Sequence, residues 1–156
     1  MKFALIVGAS VLALSSASFA QGIGTKVPGY TFTVPGVLNT TALATVFQCT
    51  NMSPLGSGVL NFEVDLFASD GSLANSAAVT LGGGETKIIA TQPLGSMATD
   101  ATLFTPSGGG TPVVAGAARI LGGKLMICAA SVMSASVNPS YLNALPVIRK
   151  KLQHGA

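Results

Sequence analysis

Asp70-Gly71 lies between two segments of strand-like sequence, and this arrangement constrains the fold more than any other feature of the chain. Leu60 to Ala68 places an apolar residue at every second position, and Leu73 to Leu81 follows the turn. Alternation with a period of two is typical of a strand with one buried face. Asp-Gly favours a two-residue type I′ turn. The two segments therefore predict an antiparallel hairpin.

The two-residue turn also predicts how the strands of this hairpin face each other. The expected apolar pairs are Leu60 with Leu81, Phe62 with Val79, Val64 with Ala77, and Ala68 with Leu73. The other face pairs Asp65 with Ser76, which suits solvent. Leu66 opposite Asn75 is the exception on the apolar face. A slip of one residue would exchange the two faces. The agreement of both segments therefore favours this register.

Gly122-Gly123 predicts a second hairpin, formed by Val113 to Leu121 and Lys124 to Met133. We expect Ile120 to face Leu125 and Ala118 to face Ile127. The hydropathy of this region resembles that of a transmembrane helix, but a glycine pair between two runs of strand length favours strands. Apart from Arg119, both faces are apolar or small. Such strands are expected to be central, or to have one face in an interface.

Turn signals recur about every 10 to 15 residues along the chain, which favours an all-β fold over alternating strands and helices. We predict a single antiparallel β-sandwich of about seven to nine strands. Residues 41–148 form this domain in our prediction. Residues 21–40 are expected to be an N-terminal extension or edge strand, and residues 149–156 a basic C-terminal tail.

The run VDLFASDGSLANSAAVTLGGGETKIIAT, residues 64–91, resembles the central hairpins of bacterial secreted immunoglobulin-like β-sandwich domains. Those hairpins often show a strand, an Asp-Gly turn, a returning strand and a Gly-rich turn before a Thr-rich strand. The resemblance implies an immunoglobulin-like sandwich. It implies no activity, because one fold serves many functions.

Residues 1–20 are predicted to be a cleaved signal peptide. Met1-Lys2 is positively charged, Phe3 to Leu14 is apolar, and Ser18 and Ala20 form a small-x-small cleavage site. A retained membrane anchor is the alternative, but this apolar run spans only about 18 Å as a helix, against a hydrocarbon core of about 30 Å. We therefore expect an exported protein that is periplasmic, displayed at the cell surface or extracellular, with no transmembrane segment in the mature chain.

Cys49 and Cys128 are the only cysteines in the chain. In an exported protein an even number of cysteines predicts a disulfide. Free, reactive thiols are the alternative, but no CxxC motif is present and no His, Lys or Arg lies beside either residue in the sequence.

Few residues of this chain are suited to catalysis. Charged residues make up 8% of the sequence, against about 25% in an average domain. The single histidine, His154, lies near the C-terminus and is expected to be solvated. Glu63 and Asp65 share one strand face and could form a carboxylate pair, although a solvated outer face is the preferred interpretation. We expect no catalytic, metal or cofactor site, and an enzyme is our third hypothesis.

The only charge cluster is Arg149, Lys150 and Lys151, which could contact an anionic surface or simply aid solubility. Arg119, Leu125 and Ile127 complete the candidate interaction surface. A nucleic-acid interface is not expected, because the body of the chain lacks clustered basic residues.

These features favour a secreted, non-catalytic structural or surface-interaction protein that associates with itself or with the cell envelope. The alternative is a monomeric extracellular binding module for a carbohydrate or apolar ligand.

Overall fold

A computed structural model describes residues 29–95, 97–103, 113–136 and 138–152. The predicted signal peptide of residues 1–20 and His154 lie outside the described residues. Within them the structure is all-β, and no helix is long and apolar enough to cross a membrane.

Ten strands make up the described fold. They are β1 (Tyr30–Asn39), β2 (Leu43–Asn51), β3 (Val59–Phe67), β4 (Leu73–Gly82), β5 (Thr86–Ala90), β6 (Ala101–Thr102), β7 (Val113–Gly122), β8 (Met126–Ser134), β9 (Tyr141–Leu145) and β10 (Ile148–Lys151). β6 is a two-residue strand at the edge of the sheet.

The strands form one mixed sheet that is nearly closed into a barrel. One branch has the order β4-β3-β7-β1-β10, and the other has the order β6-β5-β2-β8-β9. The branches join where Asn39 of β1 pairs with Ala44 of β2. All strand pairs are antiparallel except β5 with β6. The predicted β-sandwich is therefore confirmed only as an all-β fold.

Apolar side chains from both branches meet in one core. Its largest fully buried members include Phe47, Phe62, Leu66, Leu81, Ile89, Ile120 and Met126. A second, smaller cluster of Ala44, Val46, Ala90 and Leu94 covers the other side of β2. Burial on both faces explains why β2 is apolar along most of its length.

The first hairpin has the predicted register along most of its length, including Leu60 with Leu81 and Leu66 with Asn75. The predicted turn is wrong. Ala68 faces Ser72 instead of Leu73, because the backbone N–H of Ala68 donates to the Ser72 carbonyl and that of Gly71 to the Ala68 carbonyl. Gly71 has a φ of +82°. The three-residue loop 69–71 replaces the type I′ turn, and a register shift after Leu66 accommodates it.

The second predicted hairpin is wrong, although both of its segments are strands. β7 pairs with β1 and β3, whereas β8 pairs with β2 and β9. The chain crosses from one branch to the other after Gly122, so Ile120 does not face Leu125. Strands that are apolar on both faces fit several neighbours, and periodicity alone does not select one. The expectation that β7 is central is confirmed.

Both chain ends of the described fold also differ from expectation. β1 is not an edge strand, because it pairs with β7 on one side and β10 on the other. Arg149, Lys150 and Lys151 do not form a tail. They lie in β10, where backbone pairing with Phe32, Thr31 and Tyr30 extends the sheet.

Candidate functional site

Cys49 and Cys128 lie directly opposite each other on β2 and β8. Their sulfur atoms are 2.14 Å apart, close enough for a disulfide, and their Cα atoms are 4.2 Å apart. Cys49 is fully buried and Cys128 is half-buried. The pair joins neighbouring strands of one branch, whereas an immunoglobulin disulfide joins two sheets. It is therefore a structural element of the core.

The structure does not bring the predicted interaction residues onto one surface. Arg119 lies on the outside of the first branch beside Asp65. Ile127 lies on β8 in the second branch, and its side chain is 53% exposed. Leu125 and Arg149 do lie at the same end of the molecule, where an Arg149 N–H donates to the Lys124 carbonyl.

Arg119 neutralises a carboxylate that we expected to be solvated. Asp65 is only 4% exposed. One of its oxygens accepts hydrogen bonds from Arg119 Nε at 3.0 Å and Nη2 at 2.7 Å. The Arg119 guanidinium also lies 5.3 Å from the centre of the Phe67 ring. Asp65 and Arg119 therefore form a structural ion pair between β3 and β7.

A cleft of about 450 Å³ opens at one end of the nearly closed sheet. We call this region the open end; it comprises the β2–β3 loop (52–58), the β7–β8 turn (123–125) and the start of β1. The cleft is lined by Gly29, Tyr30, Asn51, Ser53, Ser57, Gly58, Val59, Leu60, Gly123, Lys124 and Leu125. Its volume is within the range of small-molecule sites, about 300–1,000 Å³.

Arg149 packs against two aromatic rings of β1 at the open end. Its guanidinium lies 4.3 Å from the centre of the Tyr30 ring and 5.7 Å from that of Phe32. Such stacking is a cation–π interaction. The remaining contact of Arg149, to the Lys124 carbonyl, ties β10 to the β7–β8 turn. Stacking and this hydrogen bond hold the charge beside the cleft.

The carboxylates of the protein all have local partners. Asp65 binds Arg119, Glu63 accepts from the Ser76 hydroxyl, and Glu85 accepts from the backbone N–H of Gly82. Hydrogen bonds from Ser72 lower the pKa of Asp70.

Asp100 has two partners. The backbone N–H of Ile88, together with Lys87, lowers the pKa of Asp100. The hydrogen bond to Asp100 in turn raises the pKa of Lys87.

The open end has cations with no such partners. Lys124, Arg149, Lys150 and Lys151 form no ion pair with any of the five carboxylates, all of which belong to described residues. Although the whole chain has few charged residues, the open end has a local excess of positive charge.

Large apolar side chains are also exposed at the open end. The exposed fractions are 57% for Met52, 86% for Leu55, 65% for Val59 and 49% for Leu125. Exposed apolar groups that lie together are typical of interaction sites. Of this group we predicted only Leu125, because Met52 and Leu55 lie in a loop that has no periodicity and Val59 is the first residue of β3, before the alternation that begins at Leu60.

β4 is a second candidate interaction feature. It is the last strand of the first branch, so β3 is the one described strand that pairs with it, and the Asn75 side chain donates a hydrogen bond to the Leu103 carbonyl just after β6. It is ten residues long, and its sequence LANSAAVTLG contains neither a charged residue nor proline. β10, at the other edge of the branch, is four residues long and has three cations. Natural edge strands are usually short, charged or interrupted by proline.

No protein-family model, curated protein or solved structure matches this chain. Among the described residues, no group of three or more His, Cys, Asp or Glu side chains could hold a metal ion. The fold and the two surface features are therefore the basis for a functional proposal.

Proposed function

We propose that this protein is an exported, non-catalytic structural protein that self-associates by pairing its exposed edge strand β4 with β4 of a second copy. The observation that supports the proposal is the absence of charge and proline along ten residues of a strand that pairs, among the described strands, with β3 alone. Export rests on the signal-like sequence of residues 1–20. We also propose, from the resemblance of residues 64–91 to bacterial surface domains, that the all-β fold is related to the immunoglobulin-like sandwich.

Backbone groups supply the attraction in such an association. The outer edge of a sheet presents unpaired N–H and C=O groups that can pair with another strand. Antiparallel pairing of β4 with itself would give a two-fold symmetric contact and one continuous sheet across two molecules. Exposed Ser76, Ala78 and Thr80 are small or neutral, so they offer neither steric bulk nor charge repulsion against a second copy.

Static light scattering after size exclusion, over a range of protein concentrations, tests this proposal. We expect the mass of the wild-type protein to rise with concentration and the mass of Ala78→Lys to stay that of a monomer, because pairing of two β4 strands would bring the two lysines close together on one face of the joined sheet. Gln48→Lys is the matched control. Gln48 is also exposed, but β2 has strands on both sides. A monomeric wild-type protein, or equal association of Ala78→Lys, would contradict the proposal.

The cleft at the open end supports a second candidate, a monomeric binding module for a carbohydrate or apolar ligand. Its lining combines Tyr30, Val59 and Leu60 with polar Asn51 and Ser57, a mixture typical of ligand sites. A ligand that binds only the folded state raises the melting temperature. Screening a panel of glycans and lipids by thermal unfolding tests this candidate, with Leu60→Lys as the variant that fills the cleft.

A further inference from the structure

We infer that the open end docks on the surface of an anionic lipid bilayer. The inference goes beyond self-association, because β4 pairs along a sheet edge whereas this surface is formed by loops and the last residues of β10. Three observations support it: an exposed apolar loop, a group of unpaired cations, and a cleft between them.

The β2–β3 loop presents its apolar side chains outward in a defined turn. The backbone N–H of Ser57 donates to the Pro54 carbonyl at 3.1 Å. Gly56 and Gly58 both have a φ of +75°, a conformation that favours glycine. At the tip of this turn, Leu55 is 86% exposed, the highest value among the exposed large apolar side chains of the described residues. A leucine at that position is available to enter an apolar phase outside the protein.

Cations lie at the same end of the molecule as this loop. Lys124 follows the cleft residue Gly123, and β10 ends with Lys151 opposite Tyr30. Glu85, in the neighbouring β4–β5 turn, is the carboxylate of this end, and it accepts a hydrogen bond from the Gly82 N–H at 2.7 Å. None of the cations of the open end forms an ion pair with Glu85. They can therefore attract an anionic partner over the electrostatic screening length, which is about 8–10 Å.

A bilayer matches both chemistries at once. Its anionic headgroups attract lysine and arginine, and the acyl region just beneath them accepts leucine and methionine. Tyr30, between the loop and the cations, has the ring and hydroxyl combination found at membrane interfaces. A soluble acidic polymer would satisfy the cations but would leave Leu55 and Met52 exposed to water. The exposed apolar loop thus favours the bilayer over the polymer.

Co-sedimentation of the full chain with vesicles tests this inference. We expect binding to phosphatidylcholine vesicles that contain phosphatidylglycerol, weaker binding at high salt, and little binding to phosphatidylcholine alone. Leu55→Asp should lower the affinity at least about tenfold, because the apolar contact is lost. Lys124→Gln/Lys151→Gln should lower it about thirtyfold. Leu142→Asp is the matched control, because Leu142 is 53% exposed but lies in β9, away from the open end.

Two results would overturn the inference: no binding of the wild-type protein to anionic vesicles, or unchanged binding of Leu55→Asp. Circular dichroism verifies that each variant is folded. Ala78→Lys is measured in parallel, so that a loss of self-association is distinguished from a loss of vesicle binding.

Discussion

Asp65 is the one charged residue among the buried side chains of the described structure. Its carboxylate would be costly to bury without a partner, and Arg119 supplies two hydrogen bonds from the neighbouring strand. Arg119 is half exposed, with a side-chain exposure of 50%. Arg119 therefore neutralises the buried Asp65 carboxylate while part of its own side chain stays in solvent. Because the two residues face each other, their ion pair favours the observed register of β3 and β7.

Arg119→Met should lower the free energy of unfolding by about 2 kcal/mol, because it leaves the buried Asp65 carboxylate without its charged hydrogen bonds. Urea denaturation measures the loss. Lys87→Met is the control, since it breaks an exposed ion pair with Asp100 and should cost much less. Equal losses in the two variants would contradict a structural role for Arg119.

Gly71→Ala should cost about 1 kcal/mol in unfolding free energy, because a φ of +82° is strained for alanine. No atom lies within 4 Å of the added Cβ, so the backbone conformation alone would account for the loss. Gly29→Ala also meets no atom within 4 Å and has no positive φ. A larger loss in Gly29→Ala than in Gly71→Ala, measured by urea denaturation, would show that the turn differs from the one described.

At the scale of strands, local hairpins are predictable from sequence and distant pairings are not. The register of β3 and β4 follows from two alternating segments and a short turn. β7 and β8 have equally clear strand signals, yet they pair with β1, β3, β2 and β9, because two-sided apolar strands leave several neighbours possible. The burial of Asp65 was unpredictable for the same reason, since Arg119 is 54 residues away in sequence.

The segment after β5 is attached to that strand by Asp100, whose pKa is lowered mainly by the Ile88 N–H and also by Lys87. A carboxyl group with a lower pKa in the folded state stabilises the fold above its unfolded pKa of about 3.9. That stability is lost as the pH falls through the folded value. We expect urea stability to decrease below about pH 4 and the decrease to be smaller in Asp100→Asn. Identical pH profiles would exclude this contribution.

The pair of Cys49 and Cys128 ties β2 to β8 across 79 residues of sequence. Cys49→Ala/Cys128→Ala should lower the unfolding free energy by about 4 kcal/mol, because the unfolded chain is no longer restricted by a closed loop. The same loss is expected when the wild-type protein is unfolded in the presence of a reductant. Detection of two free thiols in the non-reduced wild-type protein would contradict the disulfide.

At the scale of the whole molecule, a chain with little charge distributes it unevenly. Carboxylates are paired locally, the open end keeps unpaired cations, and β4 has no charge at all. The sequence indicated the basic group at 149–151 and the apolar Leu125, but only the fold shows that they lie at one end beside Leu55. The fold also shows that β4, which was correctly predicted as a strand, lies at an edge of the sheet. Its position there follows from two pairings, because β7 pairs with the other side of β3 and β5 pairs with β2.

Hydrogen–deuterium exchange of β4 at low and high protein concentration tests self-association most directly. The outward N–H groups of residues 73–82 exchange with solvent in a monomer and become protected when a second β4 pairs with them. We expect protection of this strand to rise with concentration while protection of β10 does not change. Protection of β4 that is independent of concentration, at concentrations where light scattering shows larger species, would contradict it.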